Sequence, residues 1–493
     1  MTLADRLARH RGRTAIVDRR GAHAYDDLDA RSRRLAAALL AGRRDLDEAR
    51  VAMLVPPGAE FLSLLLGVFR AGGIAVPLAL SHPPRELAHV IDDADADVVV
   101  TTPELRDRLP ADLAPEGVVC VGDLVARRGG AHTLPDVAPE RRALIVYTSG
   151  TTGRPKGVVT THANIAAQVT SLVDAWAWRA DDRTLLVLPL HHVHGLINVV
   201  ASALWAGATC EVPASVDAAH TWERLSSGEV TVFTAVPTVY HRLIASSDTA
   251  DDGTRRRRAA GCARARLMMS GSAALPVRVL ERWRAIAGHV LLERYGMTEI
   301  GMALANPLHG ERRPGTVGMP LPGVEVQVVD EQGARVPPGT PGELEVRGAN
   351  VFLEYWRRPD ETRAAFRDGW FRTGDVAVVE GGRYRLLGRT STDILKSGGF
   401  KISALEIEET LREHPAIAEC AIVGVEDEEW GQRLCAAVEL RAGAALGLDD
   451  LTAWARERLA PYKLPRALVC VADLPRNAMG KVVKADVAAL FRS

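Results

Sequence analysis

Apolar and polar positions change period along the 493-residue chain, and three textures follow one another. Over the first 300 residues short apolar runs alternate with helical patterns, as in an α/β region with buried strands. Residues 143–147 (ALIVY) predict a strand, and Ile165, Val169, Leu172, Val173 and Trp176 recur at helical spacing, with a Gly-rich loop joining the two. At 324–330 (VEVQVVD) and 342–348 (GELEVRG) the period falls to two between Pro and Gly clusters, which predicts a small antiparallel β subdomain. After Gly388 the pattern predicts a helix at 404–412, strands at 420–425 and 434–440, a helix at 448–459 and a strand at 467–471. The expected fold class is therefore α/β. A large N-terminal domain spans 1–389, with the β-rich part at about 311–388, and a small α+β domain spans 390–493.

Composition narrows the partners. Hydrophobic residues make up 47% and the net charge is -1, so no global basic field draws the chain to nucleic acid or a membrane surface. The run 61–80 carries Arg70, paired glycines and Pro77, which predicts packed helix and strand rather than a membrane span. Residues 1–16 are charged and do not read as a signal peptide. Cys120, Cys210, Cys262, Cys420, Cys435 and Cys470 are widely spaced with no C-x-x-C pair, as in reduced cytosolic thiols, so a cytoplasmic location is expected. Arg255–Arg258, beside Asp251 and Asp252, are expected in a solvated loop. Of 61 basic residues only six are lysine: Lys156, Lys396, Lys401, Lys463, Lys481 and Lys484. Each marks a candidate position for a compact ammonium charge.

The segment 147–157, YTSGTTGRPKG, gathers three glycines, four hydroxyl side chains and Lys156 after the ALIVY strand and before a helix. Such a loop can surround a polyphosphate with N–H and O–H donors. It is not a Walker A loop, because Pro155 stands where that motif needs glycine. Four more segments follow: 295–299 (YGMTE), 371–375 (FRTGD), 388–408 (GRTSTDILKSGGFKISALEIE) and 475–481 (PRNAMGK). In this order the five resemble the signatures of the adenylate-forming superfamily of acyl-CoA synthetases, luciferases and peptide-synthetase adenylation domains. The resemblance covers nearly the whole chain. It implies a β-barrel-like character for the small β subdomain and a mobile C-terminal domain that carries a catalytic lysine.

The implied reaction has a carboxylate oxygen attack the α-phosphate of ATP, giving an acyl-adenylate that then passes its acyl group to coenzyme A. On this resemblance ATP is held by Thr148, Ser149, Gly150, Thr151, Thr152, Lys156, Ser272, Ala273, Glu293, Tyr295, Gly296, Thr298, Asp375, Arg389 and Lys481. Tyr295 supplies a ring for adenine, Thr298 a hydroxyl for the α-phosphate, and Asp375 an acceptor for ribose hydroxyls. Glu299 is the expected Mg²⁺ ligand, an oxygen donor that suits a hard cation. Lys481 is the expected main catalyst of adenylation, offsetting charge in the phosphoryl-transfer transition state. Lys484 is expected to be a solvated tail residue. Ser391 or Thr392 is the expected hinge; many relatives have Asp or Lys two residues after the arginine and one fewer residue before the paired glycines, whereas here Ser391 and Thr392 precede Asp393. Ser397, Gly398 and Gly399 resemble the loop lining the pantetheine channel, with Lys401, Trp430 and Arg433 as further coenzyme A contacts; Trp430 reads equally as domain core.

The acyl pocket is expected among His192, Val193, Ser270, Gly271, Arg294 and Met297. Arg294 stands where many relatives have a small residue, and it offers a bidentate partner to a second carboxylate. ERYGMTE with LPRNAMGK most resembles malonyl-CoA and methylmalonyl-CoA synthetases. His191, His192 and His194 cluster without an acidic or thiol ligand, so His192 is read as a gate and catalytic residue rather than a metal ligand. Val193 leaves room for a methyl branch on the substrate. Three other readings stay open: a short-chain monocarboxylate ligase, a stand-alone adenylation domain loading a carrier protein, and a catalytically silent nucleotide sensor. Oligomeric state is not legible.

Overall fold

The ALIVY run lies in the strand Arg142–Thr148, whose residues Ala143 to Val146 are buried because both faces of its sheet are covered. The structure, a computed structural model, describes residues 1–110, 117–126, 133–148, 155–398, 400–477 and 480–492. Beyond residues 149–154 the chain does not enter a helix directly, as the sequence pattern suggested. It returns first as the strand Lys156–Thr161, antiparallel to Arg142–Thr148, with Tyr147 opposite Gly157 and Thr148 opposite Lys156. The helix His162–Ala175 follows, N-capped by Thr161. The KGVVTT strand is short and carries no long alternation, so its cross-strand partner decides it.

The described residues form two compact units. The first contains Met1–Pro314, Gly318–Glu325 and Val346–Phe371; the second contains Gly315–Val317, Val326–Glu345 and Arg372–Ser493.

Two sheets organise the first unit. One has seven strands in the order Glu354–Tyr355, Lys156–Thr161, Arg142–Thr148, Ile74–Pro77, Arg50–Leu54, Val98–Thr101 and Val118–Cys120. Ile74, Val76, Val90, Ile91, Ile145 and Val159 pack into one core on it. The other has nine strands, and its middle runs Leu292–Met297, Leu267–Ser270, Val232–Ala235 and Arg183–Leu185, all parallel. Parallel strands joined by helical crossovers bring their carboxyl ends to one edge, which is where open α/β sheets hold ligands. Residues 255–258 are not in a loop, as expected, but in the helix Asp252–Cys262, N-capped by Asp251. The cap and the stem of Arg258, whose guanidinium lies 4.8 Å from the Trp222 ring centroid, offset the charge density of the run. Among the described residues no helix is long and apolar enough to cross a membrane.

In the second unit Arg383–Arg389 pairs antiparallel with Trp370–Glu380, setting Asp375 opposite Arg389. Beyond it, Gly431–Leu440 pairs with Ile417–Asp427 and Ala467–Val471, and the helices Ala404–Leu411 and Leu448–Arg456 close a core of Ile402, Ile407, Leu411, Ile422, Leu434, Val438 and Leu451. These are the elements that the pattern after Gly388 predicts. Thr390 to Asp393 form the turn between Arg383–Arg389 and Ile394–Ser397, where Asp393 N donates to Arg389 O at 2.7 Å.

Candidate active site

The motif YGMTE is a β-hairpin. Leu292–Met297 runs into a turn at Thr298 and Glu299 and returns as Gly301–Ala305, with Arg294 opposite Ala305 and Gly296 opposite Met302. Gly296 is required by packing, since a Cβ there would run into the Gly301 carbonyl. Alternation along the strand then turns Arg294 inward, and the side chain is 3% exposed.

Around Arg294 the carboxyl ends of the parallel strands converge. From Val232–Ala235 comes Thr234, whose Oγ1 accepts from Arg294 Nη2 at 2.8 Å. From the segment after Arg183–Leu185 comes His194, whose Nε2 meets the same Nη2. His194 begins a π-helical stretch, His194–Ala201, a rare geometry that recurs at functional sites. From the end of Leu267–Ser270 come Gly271, where a Cβ would lie 2.8 Å from Arg294 Nη1, and Ser272, whose Oγ is 2.8 Å from His194 Nδ1. Trp176 presents its ring face 5.5 Å from the guanidinium, and Met302 Sδ lies 3.4 Å from Nη1. Among the described residues no carboxylate pairs with Arg294, and neither its Nε nor the buried Ser270 Oγ has a hydrogen-bond partner. Burial pushes the guanidinium down to about 9, and burial, with Arg294 adding to it, holds His194 well below the ordinary imidazole range.

Expected acyl-pocket residues thus meet at one place in Ser270, Gly271 and Arg294. Val193 is buried beside His194 in the same loop, and Met297 lies at the hairpin tip, half-buried. His192 makes an edge contact with His191, ring centroids 5.8 Å apart, and burial lowers both rings, His191 to about 4. Among the described residues no group of three or more His, Cys, Asp or Glu side chains could hold a metal ion. Thr234 was not singled out in the sequence, and Trp176 only as a position of helical spacing, because neither lies in a recognisable motif.

The residues expected at ATP divide between the two units. In the first, Tyr295, Glu293, Thr298 and Glu299 are buried on the hairpin, whereas Ser272 and Ala273 are exposed. Ser272 has φ +69°, a left-handed conformation rare for a side chain with a Cβ. Lys156 pairs with Glu361 and lies 5.4 Å from the centroid of the Tyr355 ring, while Tyr355 Oη donates to Glu299 Oε1 at 2.9 Å. Tyr355 was also missed; nothing in its local sequence marks it. Thr148 ends its strand half-buried, and Ser149, Gly150, Thr151 and Thr152 lie outside the described residues.

In the second unit Arg389 Nε donates to Asp375 Oδ1 at 3.0 Å, so the two expected nucleotide contacts are locked side by side. Lys481 is exposed, its N–H donating to Asn477 Oδ1 at 3.0 Å, and Gly480 turns the chain with φ +77°. Lys484 is not the solvated residue expected. Its Nζ pairs with the buried Glu408, donates to Ile422 O at 2.8 Å and lies 3.8 Å from Asp393, because the helix Lys484–Ala489 returns against the sheet. Ser397 is buried, and Gly398 N donates to Trp430 O at 2.9 Å. Trp430 is half-buried with the Arg466 guanidinium 3.4 Å from its ring centroid. Lys401 pairs with Glu331 at 2.5 Å and Arg433 lies 3.8 Å from Asp427; Gly399 is outside the described residues.

The AMP-binding enzyme family matches residues 3–356, and the AMP-binding enzyme C-terminal domain matches residues 406–481. The chain belongs to the AMP-binding enzyme family. Among its relatives is the mitochondrial malonate–CoA ligase ACSF3 of Mus musculus, 46% identical, with 96% of this chain and 88% of that protein covered. Feruloyl-CoA synthase of Amycolatopsis sp is 34% identical over 97% of this chain and 96% of that one. Among solved structures, ATP-bound MatB from Rhodopseudomonas palustris is 35% identical with a TM-score of 0.91, covering 100% of this chain and 99% of that chain.

Proposed function

We propose that the protein is an AMP-forming acid–CoA ligase acting on malonate, with methylmalonate admitted at the same site. One carboxylate oxygen attacks the α-phosphorus of ATP and pyrophosphate leaves. The thiol of coenzyme A then attacks the acyl carbon, AMP leaves and the thiol proton is released. Family membership alone does not assign the acid, since relatives carry names as different as malonate and feruloyl. The observation that carries the assignment is Arg294: a buried guanidinium with no carboxylate partner among the described residues, and with an unsatisfied Nε, on the hairpin that also holds Tyr295 and Thr298. A buried cation without an anion is costly, and a second carboxylate on the substrate supplies the missing partner. Ser270 Oγ, buried and without a partner among the described residues, is a further donor for that carboxylate. Val193 and Met297 border the C2 position, and the apolar Val193 leaves space for a methyl group.

Thr298 and Lys481 neutralise charge on the α-phosphate, Asp375 and Arg389 hold the ribose, Tyr295 stacks on adenine, and His192 lines the passage to the acyl group. Glu299, a hard oxygen donor, would hold Mg²⁺, and the ion bound there would screen the phosphate charges. Rotation of residues 390–493 about Ser391 or Thr392 exchanges the adenylation arrangement for the one in which Ser397, Gly398, Gly399, Lys401, Trp430 and Arg433 receive coenzyme A. Free cysteines throughout the chain accord with a reducing compartment, and we place the enzyme in the cytoplasm.

The test is a panel of malonate, methylmalonate, acetate, propionate and butyrate with thioester detection, run on the wild type and on Arg294→Ala. Malonate-type acids are expected to dominate, and Arg294→Ala to lower their kcat/KM by roughly 100-fold or more while monoacids lose far less. A wild type that prefers the monoacids overturns the assignment.

A further inference from the structure

An arginine that reads a substrate carboxylate must itself be held, and the groups holding Arg294 carry a second message. A guanidinium has five donors and no acceptor. His194 Nε2 contacts Arg294 Nη2, so that nitrogen carries the ring's lone pair and the proton sits on Nδ1. Nδ1 in turn is 2.8 Å from Ser272 Oγ, which accepts the proton's hydrogen bond. Thr234 Oγ1 takes the other Nη2 proton, at 2.8 Å, and Met302 Sδ lies 3.4 Å from Nη1. The Nη2 end is thus fully engaged, while Nε has no partner among the described residues. A cationic imidazole could not occupy this place, having no lone pair to offer and a like charge to oppose Arg294. Ser272 keeps its left-handed backbone at the point where its hydroxyl meets the imidazole.

We infer that His194 is a positioning residue for substrate selection: held as the neutral Nδ1–H tautomer by Ser272, it anchors the Nη2 end of Arg294 and leaves Nε to the distal carboxylate of a malonate-type acid. The inference rests on the diacid assignment made above. It also links Ser272, on the segment expected at the nucleotide, to the residue expected at the acid through one imidazole.

A double-mutant cycle tests it. Malonate kcat/KM is measured from pyrophosphate release at saturating ATP for the wild type, Arg294→Ala, His194→Leu, His194→Gln and the double variant Arg294→Ala with His194→Leu. His194→Leu is expected to cost roughly 10- to 100-fold, mainly in KM, the range of a hydrogen bond to a charged group. His194→Gln, whose amide oxygen can accept from Arg294, is expected to recover all but about fivefold of it. In the Arg294→Ala background His194→Leu is expected to cost less than about twofold more, because the two act as one unit. An undiminished His194→Leu effect in that background, or a glutamine variant as poor as the leucine one, overturns the inference. If His194→Leu does not fold, His194→Asn takes its place in the cycle, its shorter amide standing in for Nδ1 without reaching Arg294, with a loss of about three- to tenfold expected only when Arg294 is present. Failure of the two readings is separable. An Arg294→Ala variant that loses malonate and propionate use equally removes the diacid assignment, whereas selective loss with an additive cycle removes the role of His194 alone.

Discussion

Tyr355 donates its hydroxyl to Glu299 Oε1 at 2.9 Å, and the same ring lies with its centroid 5.4 Å from the Lys156 ammonium. One aromatic side chain therefore holds a carboxylate and a cation that the sequence places in separate motifs. Its phenol donates to the charged form of Glu299, and its ring face attracts the ammonium.

Replacing Tyr355 by Phe keeps the ring and deletes only the donor. Glu299 then loses one bond to its charged form, and pyrophosphate release is expected to fall by about tenfold, with a higher Mg²⁺ concentration needed for half-maximal rate. Titrating Mg²⁺ against initial rate checks this. An unchanged rate and an unchanged midpoint would show that Glu299 is oriented by other contacts.

Lys481 and Lys484 are three residues apart and are expected to fail in opposite ways. Lys481→Ala removes an exposed ammonium, so stability is expected to stay within about 0.5 kcal/mol while adenylation drops by roughly 100- to 1,000-fold with ATP affinity retained. Lys484→Ala takes the main cation from the buried Glu408, which among the described residues keeps the Ile422 N–H at 2.8 Å and Arg412 at 3.5 Å, and is expected to cost about 3 kcal/mol. Denaturant unfolding and single-turnover adenylation separate the two. Loss of adenylation in Lys484→Ala at full stability would reverse the assignment.

His162 gives a pH signature. It is buried at the start of its helix, edge-on to Phe69 with ring centroids 5.0 Å apart, and burial lowers it to about 4. The unfolded chain binds a proton near the ordinary value of about 6.5, so between these values the unfolded state carries the extra proton. Its contribution is intact above pH 6.5 and is lost as pH falls toward about 4. The denaturation midpoint of the wild type is expected to fall over that window, and His162→Leu is expected to flatten the slope. Equal slopes in both proteins would assign the acid sensitivity elsewhere, His191 being the next candidate.

Local periodicity was enough for much of the fold, for a physical reason: where a face is buried along its whole length, the repeat of apolar residues records it. The ALIVY strand and the strands Ile417–Asp427 and Gly431–Leu440 carry such buried runs, whereas VEVQVV, GELEVRG and Ala467–Val471 are only partly buried and are marked by alternation and flanking turns. The strand Lys156–Thr161 does not; its pairing with Arg142–Thr148 is a long-range decision that six residues cannot announce. The arginine run reads as loop by charge and is a helix because Asp251 caps it.

The same division holds in the site. Sequence by itself marked the candidates for chemistry, since Lys156, Thr298, Glu299, Asp375, Arg389 and Lys481 stand in motifs whose spacing is local. It also singled out Arg294, but not its surroundings. Only the tertiary structure brought Thr234, His194, Ser272 and Trp176 onto that guanidinium, set Tyr355 on Glu299 and drew Lys484 inward to Glu408. These contacts join positions tens to more than a hundred residues apart. Hydrogen bonds between such positions are fixed by strand order and by which side chains a sheet edge turns inward, and neither is written in any one segment of the chain.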